Sequence, residues 1–133
     1  MTVRRLLAVI VVTLAVAAGA CSQETAEPIV FGEGSIPSTV PSDFPIPDQA
    51  SIGSTLVDAV NGRTEVSMIV PASVEESAQF FVVNMLPGGF VIDSSSGDAA
   101  RWTISFRRDD LTGEIILQAL SEGTSQAVVT LTQ

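Results

Sequence analysis

Histidine, lysine and tyrosine do not occur in this 133-residue sequence, and cysteine and tryptophan occur once each, as Cys21 and Trp102. Without His or Lys there is no Ser-His-Asp triad, no Ser-Lys dyad, no Schiff-base amine and no phosphate-loop lysine. The G-x-S-x-G pattern of a nucleophile elbow is also missing. One Trp and no Tyr leave little surface for stacking a sugar, and a carboxylate-pair glycosidase further needs acids on opposing walls of a cleft. Positive charge is scarce: six arginines face fifteen acids, a formal net charge of −9. Such a chain repels phosphate backbones, so nucleic acid is excluded as a partner class.

What is there begins at the N-terminus. Arg4 and Arg5 precede an apolar run over residues 6–20 in which Thr13 is the one hydroxyl-bearing residue, and the small residues Ala18, Gly19 and Ala20 lead into Cys21. This order fits a secretory signal. The run is shorter than the roughly 20 residues a permanent span needs. An uncleaved membrane anchor and a free thiol at Cys21 are the competing readings. Ala18-Gly19-Ala20-Cys21 resembles the lipobox of bacterial lipoproteins, with Ala18 where that family usually has Leu. The resemblance implies cleavage between Ala20 and Cys21 and a diacylglyceryl thioether on the Cys21 sulfur. It also implies a lipid-anchored location on the outer side of the cytoplasmic membrane, in the cell envelope. Two or three acyl chains hold stably where one does not, since each buried methylene contributes about 0.8 kcal/mol. A mature chain beginning at Cys21 carries four arginines against fifteen acids, a net charge of −11. That charge resists lying flat on anionic lipid.

Residues 22–47 hold five of the seven prolines, interspersed with Ser, Thr, Gly and Glu. The composition predicts a segment too poor in apolar residues to fold, extended where Pro-rich. At about 3 Å per residue it would reach up to roughly 80 Å. The expected organisation is a signal peptide over 1–20, a lipidated cysteine with a Pro-rich flexible tether over 21–50, and a folded domain over 51–133. Phe44 and Ile46 are expected to dock at the domain's edge.

Asn61-Gly62 is a hairpin signal, because both turn residues favour positive φ. A two-residue turn there places Val57 opposite Val66 and Thr55 opposite Met68, with Val57, Ala59, Val66, Met68 and Val70 on one face. Ser73 followed by Glu76 fits a capping box. Val74, Ala78, Phe81 and Met85 then recur at helical spacing, and Leu86-Pro87-Gly88-Gly89 ends the helix. Trp102, Ile104 and Phe106 alternate with polar residues. Folding back over Asp109-Asp110-Leu111-Thr112 sets Phe106 against Ile115, Ile104 against Leu117, and Arg107 against Glu114. Residues 94–99 read as a loop, and Ala127, Val129 and Leu131 complete the inner face. The expected fold class is α+β: a two-layer sandwich of one antiparallel sheet in ββαββββ order with one helix packed on its inner face.

A Pro-rich lead-in ending in Asp43-Phe44-Pro45-Ile46-Pro47, a hairpin, a helix carrying Phe80-Phe81 and closing on Leu86-Pro87-Gly88-Gly89-Phe90, and a β meander are together similar to a group of small bacterial envelope lipoproteins. The similarity covers residues 41–133. Its motifs are structural, so it implies a fold and no activity.

No catalytic residue, metal or cofactor is expected. Asp93 and Asp98 bracket a Ser-rich loop, but its Gly97 is out of step with a calcium loop and no bidentate Glu follows. Arg107 to Asp110 reads as a solvated turn. The expected role is a non-enzymatic interaction module whose partners are membrane lipid, through acylated Cys21, and an envelope or secreted protein. Ile116, Leu120 and Val128, beside Arg101, are the candidate contact patch on the wet face. The alternatives are a carrier holding an apolar ligand between helix and sheet, and a carboxylate-based hydrolase.

Overall fold

Alternating apolar residues along five stretches, and one capped helical stretch between them, set the architecture. The computed structural model describes residues 28–133; the signal stretch, Ala20 and Cys21 lie outside the described residues. Seven strands form one antiparallel sheet: β1 (Ile29–Glu33), β2 (Ser51–Asp58), β3 (Arg63–Val70), β4 (Val91–Gly97), β5 (Arg101–Arg108), β6 (Leu111–Ser121) and β7 (Thr124–Thr132). Their order across the sheet is β1-β2-β3-β7-β6-β5-β4. One helix, α1 (Val74–Met85), links β3 to β4. The fold is α+β, with six strands and the helix in the expected order and β1 as an additional edge strand.

The helix starts where the capping box requires. Ser73 Oγ accepts from the Glu76 amide at 3.2 Å, and Glu76 Oε2 accepts from the Ser73 amide at 3.0 Å. Its buried face, Val74, Ala78, Phe81 and Met85, packs on β5, β6 and β7. Ser77 Oγ lies 2.9 Å from Ser125 Oγ, a buried hydroxyl pair joining α1 to β7. Beneath the helix the sheet contributes Val66, Met68, Ile104, Ile115, Leu117, Ala127 and Val129, all essentially without solvent contact.

The segment assigned to a flexible tether is largely part of the folded body. Residues 29–33 pair with β2 along its free edge, Ile29 opposite Asp58 and Phe31 opposite Leu56. After β1, three prolines each open a tight turn: Val40 donates to the Pro37 carbonyl, Phe44 to that of Pro41 and Ala50 to that of Pro47, each at 3.0 Å. Each turn delivers its fourth residue inward. Val40 and Phe44 are core, and Ala50 packs against it. Phe44 sits among Phe81, Phe90 and Phe106, with ring centroids 5.7–6.3 Å away. Thr39 and Thr64 join hydroxyls at 2.7 Å, fixing the same segment to β3. As the first residue of each turn, proline supplies the accepting carbonyl, and its missing N–H is not needed there.

Two hairpin registers differ by two residues from the sequence expectation, which keeps every face but changes every partner. In β2–β3, Val57 lies opposite Thr64, and Thr55 opposite Val66. The cause is Asp58: its carboxylate accepts from the amides of Val60 and Asn61, closing a four-residue turn and leaving Ala59 exposed. Gly62 takes the positive φ of 61° that this turn needs. In β5–β6 a two-residue turn at Asp109-Asp110 sets Phe106 opposite Gly113, Ile104 opposite Ile115 and Arg107 opposite Thr112. A Cβ on Gly113 would meet the Phe106 ring at 2.2 Å. Only glycine leaves room for that ring, so the glycine fixes the register. Residues 94–97, expected as loop, continue β4 and pair with β5; Trp102 Nε1 donates to Ser95 Oγ at 2.9 Å.

Candidate functional site

The inner face of the sheet is occupied by α1 and the proline-turn segment. The outer face carries no described residues over it. Across its centre, Thr103, Ile116, Val128 and Ser67 lie in one row of paired Cα positions on β5, β6, β7 and β3. The row borders a shallow depression of about 480 Å³ lined by Ile116 and Val128, by Thr112, Thr130 and Ser105, and by Arg63, Glu65 and Glu114. Ile116 and Val128 are half-buried there, shielded by the neighbouring Thr and Ser side chains of the pleat.

Of the expected patch, Ile116 and Val128 are direct cross-strand partners. Arg101 lies on the next strand, opposite Gln118 and two residues from the row's Thr103. Leu120 is 52% exposed, at the irregularity between Ala119 and Ser121, and does not line the depression. Sequence reasoning put Arg63, Glu65 and Glu114 on the polar faces of their strands but did not join them to this patch. The signal was their position parity: each falls on the polar phase of its strand, and only the strand order brings β3 next to β7 and β7 next to β6.

Charge on this face is locally balanced. Arg63 donates to Glu65 at 2.7 Å, with both side chains substantially solvated. Arg107 does not meet Glu114, as the expected register had it; it donates to Asp93 at 3.0 Å. Glu114 therefore stands among hydroxyls and apolar groups, opposite Ser105 and Thr130. Such a surface offers a small apolar centre with hydrogen-bond donors and acceptors around it.

Three other carboxylates are committed to turns or to a neighbouring guanidinium. The Asn61 side chain, followed by backbone amides, holds the Asp58 carboxyl below the usual aspartate range. The amides of Ala100 and Arg101 do the same for Asp98. Asp43 is lowered by its hydrogen bond from Arg108, whose guanidinium also lies 4.2 Å from the Phe90 ring centroid. A general acid at neutral pH needs a carboxyl shifted the other way. Among the described residues no group of three His, Cys, Asp or Glu is placed to hold a metal, and no helix is long and apolar enough to cross a membrane.

Between helix and sheet, Phe81, Met85, Ile104, Ile115 and Leu117 are each 0% exposed. A ligand at the centre of that interface would have to displace packed side chains, whereas at its edge Ala78, Gln79 and Val82 of α1 and Ser95 and Trp102 of the sheet line an open hollow of about 260 Å³. A cavity of about 190 Å³ lies elsewhere, beneath the β2–β3 turn, lined by Thr39, Val57, Ala59 and Leu131 among others.

No protein-family model, no curated protein and no solved structure matches this chain. The functional reading therefore rests on this geometry and on the sequence.

Proposed function

We propose that the chain is a bacterial envelope lipoprotein, cut before Cys21 and anchored by acyl chains on that residue, which presents a small non-enzymatic interaction domain outside the cytoplasmic membrane. We read the fold behind it as a two-layer sandwich, with the sheet as one layer and α1 with the proline turns as the other. The observation that carries the interaction reading is the asymmetry of the sheet. Its inner face is covered over β3, β7, β6 and most of β5, while its outer face leaves Ile116 and Val128 in an open depression with Arg63 and Glu114 at its border. The partner this suits is an envelope or secreted protein that lays an extended or flat surface with one or two apolar side chains across β3, β7 and β6. The dense packing under α1 weighs against an apolar ligand held between helix and sheet. The placement of the acids on turns and caps weighs against a carboxylate hydrolase.

Site-directed photocrosslinking in intact envelopes tests the reading. A photoreactive side chain at Ile116 should give a discrete adduct with one partner protein, and the same group at exposed Val83 on α1 should not. Adducts from position 83 and none from 116 would put the interaction on the other side of the domain.

A further inference from the structure

The described chain begins at the free edge of the sheet, and that edge is unusually apolar for one open to water. Ile29, Val30 and Phe31 are 42%, 52% and 76% exposed, and Val60 in the neighbouring turn is 74% exposed. The two elements are joined: the Ala59 amide donates to the Pro28 carbonyl at 3.0 Å. β1 thus forms, with the β2–β3 turn, a single apolar rim at the corner of the domain through which the N-terminal segment arrives. Edge strands open to water are normally guarded by lysine, proline or an inward charge. Here Pro28 and Glu33 stand only at the ends of the strand, and its centre is unguarded.

We propose that this rim rests on the interfacial zone of the membrane that carries the protein, with Phe31 and Val60 as its deepest side chains. The inference rests on the anchoring of Cys21 proposed above. The chain lengths bring the two together. With residues 28–50 incorporated in the folded body, six residues separate Cys21 from Pro28, and the seven Cα-to-Cα steps reach at most about 25 Å when fully extended. The domain is therefore held close to the bilayer, not on the far longer leash that the proline content suggests. The rim is also the part of the domain nearest the anchor along the chain. Interfacial depth, rather than the hydrocarbon core, suits an edge strand, because its outer row of N–H and C=O groups keeps water and headgroups as partners. Pairing of β1 with a second copy fits less well. A five-residue edge is about 17 Å long, too little to bury the roughly 1,000 Å² that a specific interface needs. Seating β1 on the bilayer leaves the depression around Ile116 and Val128 free, since β2 stands between β1 and the strands β3, β7 and β6 that line it.

The test uses the full mature protein, purified with its anchor and reconstituted into phosphatidylcholine vesicles with brominated acyl chains. The wild type carries one tryptophan, Trp102, on β5. It lies five strand spacings from β1, about 24 Å, so its emission should be the same in brominated and ordinary lipid. Phe31→Trp should add emission that is blue-shifted and loses roughly half its intensity in brominated lipid, as expected at interfacial depth. Val60→Trp, an independent exposed position, should behave alike. Emission at 31 and 60 that is indifferent to bromine overturns the inference, as does quenching-free emission accompanied by crosslinks between copies through β1. The intact mass of the same sample separates the two failures. An unacylated Cys21 removes the anchor itself, whereas an acylated Cys21 with unquenched tryptophans removes only the docking.

Discussion

Replacing Phe44 with alanine asks whether the proline-rich segment is part of the fold or merely a leash. Phe44 is 5% exposed and stands within 6.3 Å, centroid to centroid, of three other buried phenylalanines. Its pairing with Phe90 is edge-to-face, with planes at 89°. A buried Phe removes about 200 Å² from water, which at about 25 cal/mol per Å² is near 5 kcal/mol. That figure is an upper bound, because a denatured chain already hides part of the ring. The segment 37–50 is stitched by single turns rather than by a ladder, so it can relax into the space left behind and reduce the cavity cost. Phe44→Ala should therefore destabilise by about 3 kcal/mol, within the range for buried aromatic truncations. For a domain of this size that lowers the melting temperature by about 12–24 °C. Urea unfolding followed by far-UV circular dichroism measures it, with the midpoint falling at nearly unchanged slope. A loss under about 0.5 kcal/mol, as for an ordinary surface change, would refute the assignment of residues 34–50 to the core.

Gly113→Ala drives a methyl group into the Phe106 ring and should cost about 1–3 kcal/mol; Gly113→Ala combined with Phe106→Leu should recover part of that loss, and strictly additive effects in the double-mutant cycle would contradict the fit. Ser73→Ala removes one half of the capping box and should cost about 1 kcal/mol, which thermal melts resolve. Stability should be flat from about pH 5 to 7, since no histidine titrates there. The carboxyls of Asp43, Asp58 and Asp98 are lowered in the folded state. Their contribution is thus complete above the ordinary aspartate value near 3.9 and disappears as pH falls below it through the lower folded values. A step in melting temperature between pH 6 and 7 would contradict this.

The parts of the fold legible in the sequence were those with a local period or a local cap. Ser73 and Glu76 announced the helix; Val74, Ala78, Phe81 and Met85 gave its buried stripe; and Ala127, Val129 and Leu131 gave the inner phase of β7. Registers were less legible, because Asn61-Gly62 does not say how many residues close the turn; the carboxylate of Asp58 decides that. The end of β4 was hidden because Ser94, Ser95 and Ser96 carry no alternation, and their strand character comes from pairing with β5. The largest misreading came from composition. Prolines 37, 41 and 47 suggested an unfolded segment, while the information lay in their spacing: each is followed three residues later by an apolar residue, Val40, Phe44 or Ala50, that a turn can deliver inward. The outer depression could be sketched from Ile116 and Val128. Arg63 and Glu65 joined it only through the neighbouring of β3 and β7, which no local pattern encodes.

The most direct test of the account is the intact mass, with N-terminal fragmentation, of the protein recovered from the native envelope. The account predicts a chain that starts at Cys21 and carries a diacylglyceryl group on its sulfur. A full 133-residue chain, or one processed elsewhere with an unmodified Cys21, would contradict it.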